Sequence, residues 1–295
     1  MTEEITENFR NYLLQLGYSK SSVYMLPECM KEFASYLSAG QAGHNTIAAH
    51  NITQQHIICF IEYLQTRPHK RKEGGLSECY IYHHIYALKL FFSYLEETNQ
   101  IRYNPISVMK FKRPKYKQRE PLTQEEITQL FEASETITER VILHLFYSCG
   151  LRRSEAEKLK IKDIHLKSGM LYVREGKGHK RRAIPITEKV SSDFETYYLQ
   201  ERNKNQITAR DTEAFILNRL GNKMKGEGYN KIVKEISKKS GLKRDISLHF
   251  LRHSIATHLL ENGLTVEYVR DFLGHSYLEA TQIYTKVHNH QLKNL

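Results

Sequence analysis

Apolar residues recur every three to four positions through most of the first hundred residues, the spacing that places them on one face of an α-helix. This pattern predicts four helices, in the segments NFRNYLLQLG, SSVYMLPECMKEFASYLSAG, QQHIICFIEYLQTR and LSECYIYHHIYALKLFFSYLEE. Gly17 ends the first segment as a helix-stop signal, and Pro27 is expected near a helix start or at a kink. Residues 1–104 are therefore predicted to form a four-helix domain.

The pattern changes after residue 104. Segment 105–120 is rich in lysine and arginine, and Pro105 and Pro114 interrupt any helix there. We expect this segment to be an extended basic linker, although a solvated run of charge with no partner is the simpler alternative.

Residues 121–295 show a mixed pattern. Thr123 with Glu126 three residues later predicts a capped helix start, and helices are expected to continue to about residue 159. MLYVR (170–174) and RAIPI (182–186) alternate as strands do, with EGKGHKR between them, and AFIL (214–217) is a candidate third strand. Helices are predicted from there to residue 284. The expected fold class is mainly α with a small β-sheet, an α+β second domain following an all-helical first one.

The net charge of +11 and the isoelectric point of about 9.3 indicate a polyanionic partner, which we expect to be double-stranded DNA. Simple solubility is the alternative reading of the same charge. The basic residues predicted to contact DNA are Lys70, Arg71, Lys72, Lys110, Lys112, Arg113, Lys115, Lys117, Lys180 and Arg181. A further basic stretch within 223–244 either lines the DNA or is a solvated surface.

The cysteines, the N-terminus and the length of the apolar runs indicate the cellular compartment. None of the four cysteines forms a CxxC pair, which is typical of reduced residues in a reducing compartment. The N-terminus is polar and acidic, unlike a signal peptide, and no apolar run approaches the roughly 20 residues that cross a bilayer. We expect a cytoplasmic protein without membrane contact.

The stretch HFLRHSIATHLLENG (249–263) raises the question of chemistry. His249, Arg252 and His253 share one face of a predicted helix. His249 and His253 have the spacing of helical zinc ligands, but the glutamate of HExxH is missing and the Arg252 charge would repel a cation. We therefore expect no metal, and we interpret His253 and His258 as packing residues.

Other segments hold isolated candidates, each weak by itself. GLRRSEAEKL, GKGHKR, LGHS and TQIYTKV contain, in that order, Arg152 with Glu155, Lys177, His275 and Tyr284. GKG is also an ordinary hairpin turn, and the GxxxxGK[ST] loop that cradles nucleotide phosphates is absent from the sequence.

Taken in order with His249 and Arg252, this series resembles the active-site residues of the tyrosine recombinases. Intervals of 3, 23 and 9 residues separate His249, Arg252, His275 and Tyr284. LRHSIATHLLENG and LGHSYLEATQIYTKV are similar to the Xer-like branch of that family. The resemblance is strong in the second half of the chain and rests only on the helical pattern in the first half.

The resemblance implies a fold and a reaction. The N-terminal domain would be a SAM-like core-binding domain, followed by a catalytic domain that cleaves and rejoins DNA through a 3′-phosphotyrosyl intermediate. Tyr284 would be the nucleophile and Lys177 the acid for the leaving 5′-oxygen. Arg152 and Arg252 would clamp the phosphate, His249 and His275 would add hydrogen bonds, and Glu155 would orient its neighbours. Neither a metal nor another cofactor is required, because cationic groups stabilise the phosphate charge.

The family works as a tetramer on two duplexes, so we expect a homotetramer or a heterotetramer with a related recombinase. Residues 285–295 would then dock on a neighbouring subunit. A phage or transposon integrase of the same layout, a type IB topoisomerase-like enzyme and a catalytically idle DNA-binding relative are the alternatives. The sequence does not indicate the target site or whether an activating protein is needed.

Overall fold

The computed structural model describes residues 3–39, 48–70, 73–114, 120–174, 181–202 and 213–274. The chain divides into two compact units, Met1–Gln118 and Arg119–Leu295. Each unit has its own hydrophobic core. The predicted site residues Lys177, His275 and Tyr284 lie outside the described residues, as do Arg71, Lys72, Lys115, Lys117 and Lys180.

The first unit contains the four predicted helices. They are α1 (Glu3–Gln15), α2 (Lys20–Ala39), α3 (Gln54–Thr66) and α4 (Glu78–Glu97), with a 3-10 turn at Ala49–Asn51. Pro27 lies inside α2, which begins at Lys20 and continues past it, so the first of its two expected positions, near a helix start, is wrong. Aromatic side chains fill the core where the helices meet: Phe9, Phe33, Phe60, Phe91 and Phe92 are all fully buried. The α-helical pattern of the sequence is thus the pattern of the core.

The first part of the segment predicted as a linker packs on this unit. Ile106 is 1% exposed and belongs to the core, and Met109 and Phe111 pack against it. The Lys89 ammonium lies 5.2 Å from the centre of the Phe111 ring. Residues 105–111 are therefore held on the first unit by apolar contacts. The basic residues Lys112 and Arg113 follow this packed segment directly in sequence.

The second unit contributes seven helices within its described residues: α5 (Gln124–Glu132), α6 (Ile137–Leu143), α7 (Arg153–Lys158), α8 (Glu188–Thr196), α9 (Gly226–Lys239), α10 (Leu248–Glu261) and α11 (Val266–Leu273). Helices α6 and α8 continue into π-helical turns, His144–Ser148 and Tyr197–Arg202. The predicted cap of α5 is confirmed, because Thr123 Oγ1 accepts the Glu126 N–H and the Glu126 carboxylate accepts the Thr123 N–H.

A small antiparallel sheet of order β1-β2-β3 completes this unit, formed by β1 (Ile164–His165), β2 (Met170–Val173) and β3 (Arg182–Pro185). The strands predicted at 170–174 and 182–186 are confirmed. The candidate strand at 214–217 is wrong: its ends make only isolated bridges, Ala214 to Lys160 and Leu217 to Lys223. Its four residues are buried, and a short buried apolar run reads as a strand whether or not it pairs.

The sheet turns one face to the core of its unit. Leu171 and Val173 on β2 and Ile184 on β3 are buried, while Ala183 and Pro185, the two neighbours of Ile184 on β3, are exposed. Because side chains alternate along a strand, Arg182 lies on the same face as Ile184. The predicted fold class, mainly α with a small sheet, is confirmed. No helix in the described ranges is long and apolar enough to span a membrane.

Candidate active site

The carboxylate of Glu155 is the centre of a cluster of arginines in the second unit. Arg152 donates to it through its main-chain N–H and through Nη1, both at 2.8 Å. Arg182 forms a two-pronged contact, with Nη1 3.0 Å from Oε1 and Nη2 2.8 Å from Oε2. Arg252 Nη1 lies 3.9 Å from Oε2. Helix α7, strand β3 and helix α10 thus deliver three guanidinium groups to one carboxylate.

The same three arginines also bind the end of helix α11. Arg182 Nε donates to the Phe272 carbonyl at 2.8 Å, Arg252 Nη2 to Leu273 at 2.7 Å, and Arg152 Nη2 to Gly274 at 2.8 Å. The last carbonyls of a helix lack partners within the helix and carry the negative end of its dipole, so cations are favoured there. In sequence, the next residue is His275.

Local sequence explains how Arg152 reaches this position. It is the N-cap residue of α7, and Glu155 closes the cap by accepting the Arg152 N–H. Gly150, two residues earlier, has φ of +57°, a left-handed conformation that glycine adopts without strain. The Gly150 carbonyl accepts a hydrogen bond from Arg252 Nη1, which ties this turn to α10.

The ionisation of Glu155 follows from these contacts. Burial raises the pKa of this carboxyl, but the hydrogen bonds and charge of Arg182, together with the bonds from Arg152, outweigh burial and lower the pKa to about 2. Glu155 is therefore ionised at neutral pH. Three guanidinium groups against one carboxylate leave an excess of two positive charges, which suits an anionic ligand such as a phosphodiester.

The arginines differ in their access to solvent. The side chain of Arg152 is 22% exposed, whereas those of Arg182 and Arg252 are 8% and 3% exposed. Arg152 is therefore the member of the cluster most open to a ligand in this structure. Arg182 was not among the residues predicted from the sequence; its place on the Ile184 face of β3 is the signal that would have found it.

Helix α10 carries the histidines in different environments. His249 lies exposed in the first turn, and His253 is half-buried. His258 is buried, with Nε2 2.8 Å from the Leu122 carbonyl and Nδ1 2.8 Å from the Tyr147 hydroxyl. The interpretation of His258 as a packing residue is confirmed. Among the described residues, no group of three or more His, Cys, Asp or Glu side chains is arranged to hold a metal ion.

A groove of about 400 Å³ runs beside Glu155, between α7, β2 and residues 213–223. Its lining is mixed in charge: the basic residues are Lys158, Lys160, Lys162, Arg174 and Lys223, and the acidic ones are Glu155, Glu157, Asp163 and Glu213. Lys160 is paired with Glu213 and Arg174 with Asp163, which offsets part of this charge. The predicted DNA-contacting residues Lys70, Lys110, Lys112 and Arg113 in the first unit, and Arg181 in the second, are exposed.

Comparison with known proteins decides the family. The model of the phage integrase family matches residues 120–291, more than half of the chain. This chain belongs to the phage integrase family. The predicted membership in the tyrosine recombinases is thereby confirmed, and with it the enzyme class.

Similarity to known relatives extends over nearly the whole length of this chain. Tyrosine recombinase XerD of Listeria innocua is 30% identical over 300 residues, covering 99% of this chain and 97% of that protein. Tyrosine recombinase XerA of Pyrococcus furiosus is 33% identical over 300 residues, covering 99% and 93%. A crystal structure of XerH site-specific recombinase bound to a palindromic difH substrate, a post-cleavage complex, matches with a TM-score of 0.69 at 25% identity, covering 92% and 76%.

The predicted similarity to the Xer-like branch is confirmed by these relatives, and site-specific recombination is the activity that they support. The topoisomerase-like and catalytically idle alternatives are not favoured. The two predicted phosphate-binding arginines, 100 positions apart in sequence, meet at Glu155. The roles of Arg152, Glu155, Lys177, His249, Arg252, His275 and Tyr284 stay predictions.

Proposed function

We propose that this recombinase cleaves and rejoins double-stranded DNA at a specific site, with Tyr284 as nucleophile and the arginine cluster around Glu155 as the phosphate-binding centre. The meeting of Arg152 and Arg252 at one buried carboxylate carries the proposal. These residues come from the start of α7 and the middle of α10, and only the fold brings them together. Their excess positive charge is what a phosphodiester in transition requires.

The reaction is a transesterification. The Tyr284 oxygen forms a bond to phosphorus, the bond from phosphorus to the 5′-oxygen breaks, and the phenolic proton passes to water. The 5′-oxygen takes up a proton from Lys177 and departs as a hydroxyl. The 3′-phosphotyrosyl ester keeps the energy of the original diester, so a 5′-hydroxyl of a second strand reverses the step without ATP. Tyrosine is mostly a neutral phenol near neutral pH, so neighbouring positive charge must favour its ionisation.

The other charged residues bind the phosphate or orient the groups that bind it. Arg152 and Arg252 bind the non-bridging oxygens, whose negative charge grows as Tyr284 attacks. His249 and His275 add hydrogen bonds to the same oxygens. Glu155 contacts no substrate; it orients Arg152 through the two hydrogen bonds at 2.8 Å. No step requires a metal or an organic cofactor.

Phosphate contacts outside the centre would hold the duplex. The exposed basic residues of the first unit and the lysines that line the groove beside Glu155 are the candidates for these contacts. Replacing Lys110, Lys112 or Arg113 by alanine is expected to weaken binding evenly across DNA sequences and to reduce the slope of log affinity against log salt by about 1 per residue. A loss confined to one DNA sequence would instead indicate base recognition.

The working assembly follows from the exchange between two duplexes. We place four subunits on the two DNA partners, identical or shared with a related recombinase, with residues 285–295 docking on a neighbour. Deleting residues 287–295 should weaken pairing of two DNA sites more than binding of one, and an equal loss of both would argue against docking. The four cysteines, all unpaired, fit a reducing compartment, and we place the reaction in the cytoplasm.

Covalent capture tests the proposal. The wild-type chain and Tyr284→Phe are incubated with fragmented host DNA, denatured in detergent, and the protein-linked fragments are sequenced. We expect wild-type adducts at a defined site and none with Tyr284→Phe. A single chromosomal locus would indicate chromosome maintenance, and the ends of a mobile element would indicate integration or excision. Equal recovery from both proteins would contradict the assignment of Tyr284.

A further inference from the structure

Arg182 uses every nitrogen of its guanidinium group on the protein itself. Nη1 and Nη2 grip the two oxygens of Glu155, and Nε donates to the Phe272 carbonyl. The side chain is 8% exposed. Its planar fork matches a carboxylate in a way that a lysine ammonium cannot reproduce. Arg182 thus directs its fork at a carboxylate of the protein, a contact by which an arginine holds another group in place.

The groups that Arg182 joins are parts of the proposed centre. Glu155 in turn holds Arg152, and Phe272 belongs to the last turn of α11, which leads in sequence to His275. Arg182 thus links the carboxylate that orients one phosphate-binding arginine to the helix end that precedes the predicted histidine, a link that Arg152 also makes through Gly274.

Gly274 shows independently how closely this tie is fitted. A Cβ atom on Gly274 would lie 2.9 Å from Arg182 Nη1, closer than real Cβ atoms come, and 3.1 Å from its Cδ, which is a tight contact. Gly274 also has φ of +65°, which side chains other than glycine rarely adopt. The helix end and the guanidinium group thus pack with no room for a side chain between them.

We propose that Arg182 is a positioning residue for DNA cleavage: by clamping Glu155 to the end of α11, it holds Arg152 and this helix end in the arrangement that binding of the cleaved phosphate requires. This inference rests on the proposed function. Arg182 acts through the groups that bind the non-bridging oxygens, and not through the leaving 5′-oxygen. Its loss therefore affects the charge stabilisation of the reacting phosphate.

Two variants perturb the tie from opposite sides. Arg182→Lys keeps the charge but loses the fork, and Gly274→Ala pushes a methyl group against the guanidinium group. Arg202→Lys is the matched control, because Arg202 is also buried in this unit and holds a main-chain carbonyl, that of Ala214, through Nε and Nη2. All three are compared with the wild-type chain for folding, by thermal unfolding.

The substrate is the duplex recovered by covalent capture with the wild-type chain. Affinity is measured by gel shift, and the rate of covalent-complex formation is measured in a single turnover. For Arg182→Lys and Gly274→Ala we expect cleavage to slow by about 10- to 100-fold, the range typical when a partner of a functional side chain is lost. Affinity should stay near that of the wild type, and Arg202→Lys should cleave normally.

A change in the phosphate then separates positioning from a general structural role. A methylphosphonate at the cleaved position replaces a charged non-bridging oxygen by a methyl group, so less charge needs stabilising. On this duplex the deficit of Arg182→Lys relative to the wild type should shrink. A role in the fold alone would slow both substrates in the same proportion.

Several results would overturn the inference. One is normal cleavage by Arg182→Lys. Another is a cleavage deficit of Arg182→Lys that is equal on the phosphodiester and the methylphosphonate duplex. A third is a parallel loss of cleavage and DNA affinity that Arg202→Lys also shows. Restored cleavage of a duplex with sulfur in place of the leaving 5′-oxygen would also overturn it, because such a leaving group needs no acid and the defect would then lie with Lys177. A wild-type chain that forms no adduct contradicts the proposed function itself, and the inference about Arg182 falls with it.

Discussion

Replacing Glu155 by glutamine should destabilise the second unit strongly at neutral pH. Glutamine keeps the shape of the side chain but removes the charge that faces Arg152, Arg182 and Arg252. The pKa of Glu155 is lowered from its ordinary 4.5 to about 2, with burial opposing and the arginine contacts outweighing it. At about 1.4 kcal/mol for each factor of ten, this difference corresponds to about 3 kcal/mol of folding free energy. Loss of one partner from a buried ion pair costs a similar amount, about 3–5 kcal/mol.

The stability lost in Glu155→Gln should depend on pH, and the direction follows from the lowered pKa of Glu155. A carboxyl whose pKa is lower in the folded chain stabilises the fold above its unfolded pKa, and this stabilisation disappears as the pH falls through the folded value. The gap between wild type and Glu155→Gln should therefore be complete at pH 7, begin to close below pH 4.5 and vanish below pH 2. About half of it should remain near pH 3.

Urea unfolding followed by circular dichroism measures the gap. Hydrogen exchange of peptides from α6 identifies which transition belongs to the second unit. Glu195→Gln, on the exposed side of α8, is the matched control and should leave stability unchanged. A loss below about 1 kcal/mol at pH 7, in the range of surface ion pairs, would refute the reasoning. A loss that is the same at pH 7 and pH 3 would refute it equally.

Three further predictions follow from other contacts. Tyr147→Phe removes the hydroxyl that hydrogen-bonds buried His258, and urea unfolding should show a loss of about 1–2 kcal/mol; an unchanged midpoint would contradict the hydrogen bond. Gly150→Ala combines a left-handed φ with a Cβ 2.9 Å from Leu273 Cδ2, so it should lower the thermal midpoint more than Gly241→Ala, which has φ of +75° and no atom within 4 Å. Equal effects would show that the contact is harmless. Burial, assisted by the charges of neighbouring basic groups, lowers the pKa of His84 from 6.5 to about 4. As the pH falls from 6.5 toward 4, the unfolded chain binds this proton before the folded chain does, so the first unit should lose stability. Hydrogen exchange of α4 peptides that is no faster at pH 5 than at pH 7, after correction for intrinsic rates, would contradict this.

Much of the fold was predictable because its elements are long and periodic. All four helices of the first unit and the cap at Thr123 follow from apolar spacing and local hydrogen-bonding residues, which act within a few positions of the chain. Strand β1 was not predictable, because two residues carry no alternation. The run 214–217 misled for the opposite reason, since a buried apolar segment resembles a strand even when only its ends form bridges.

The site was predictable only where its residues follow the family's order. Arg152, Glu155 and Arg252 were singled out in this way, and the structure brings them together, while their roles stay predictions. Arg182 was overlooked because Arg181 beside it has the same charge, and only the alternation of β3 distinguishes the exposed residue from the one that faces Glu155. The contacts with the carbonyls of α11 depend on tertiary packing, which no local pattern contains.

Mass spectrometry of the covalent complex tests the central claim most directly. The complex formed with wild-type protein is digested with nuclease and trypsin, and the peptide 271–286 is analysed; it contains two tyrosines, Tyr277 and Tyr284. We predict a nucleotide joined to Tyr284 through its 3′-phosphate, a free 5′-hydroxyl on the cleaved strand, and the same adduct in Tyr277→Phe. A nucleotide on Tyr277 or on any other residue, or a 5′-phosphate linkage, would contradict the assignment of Tyr284 as the nucleophile.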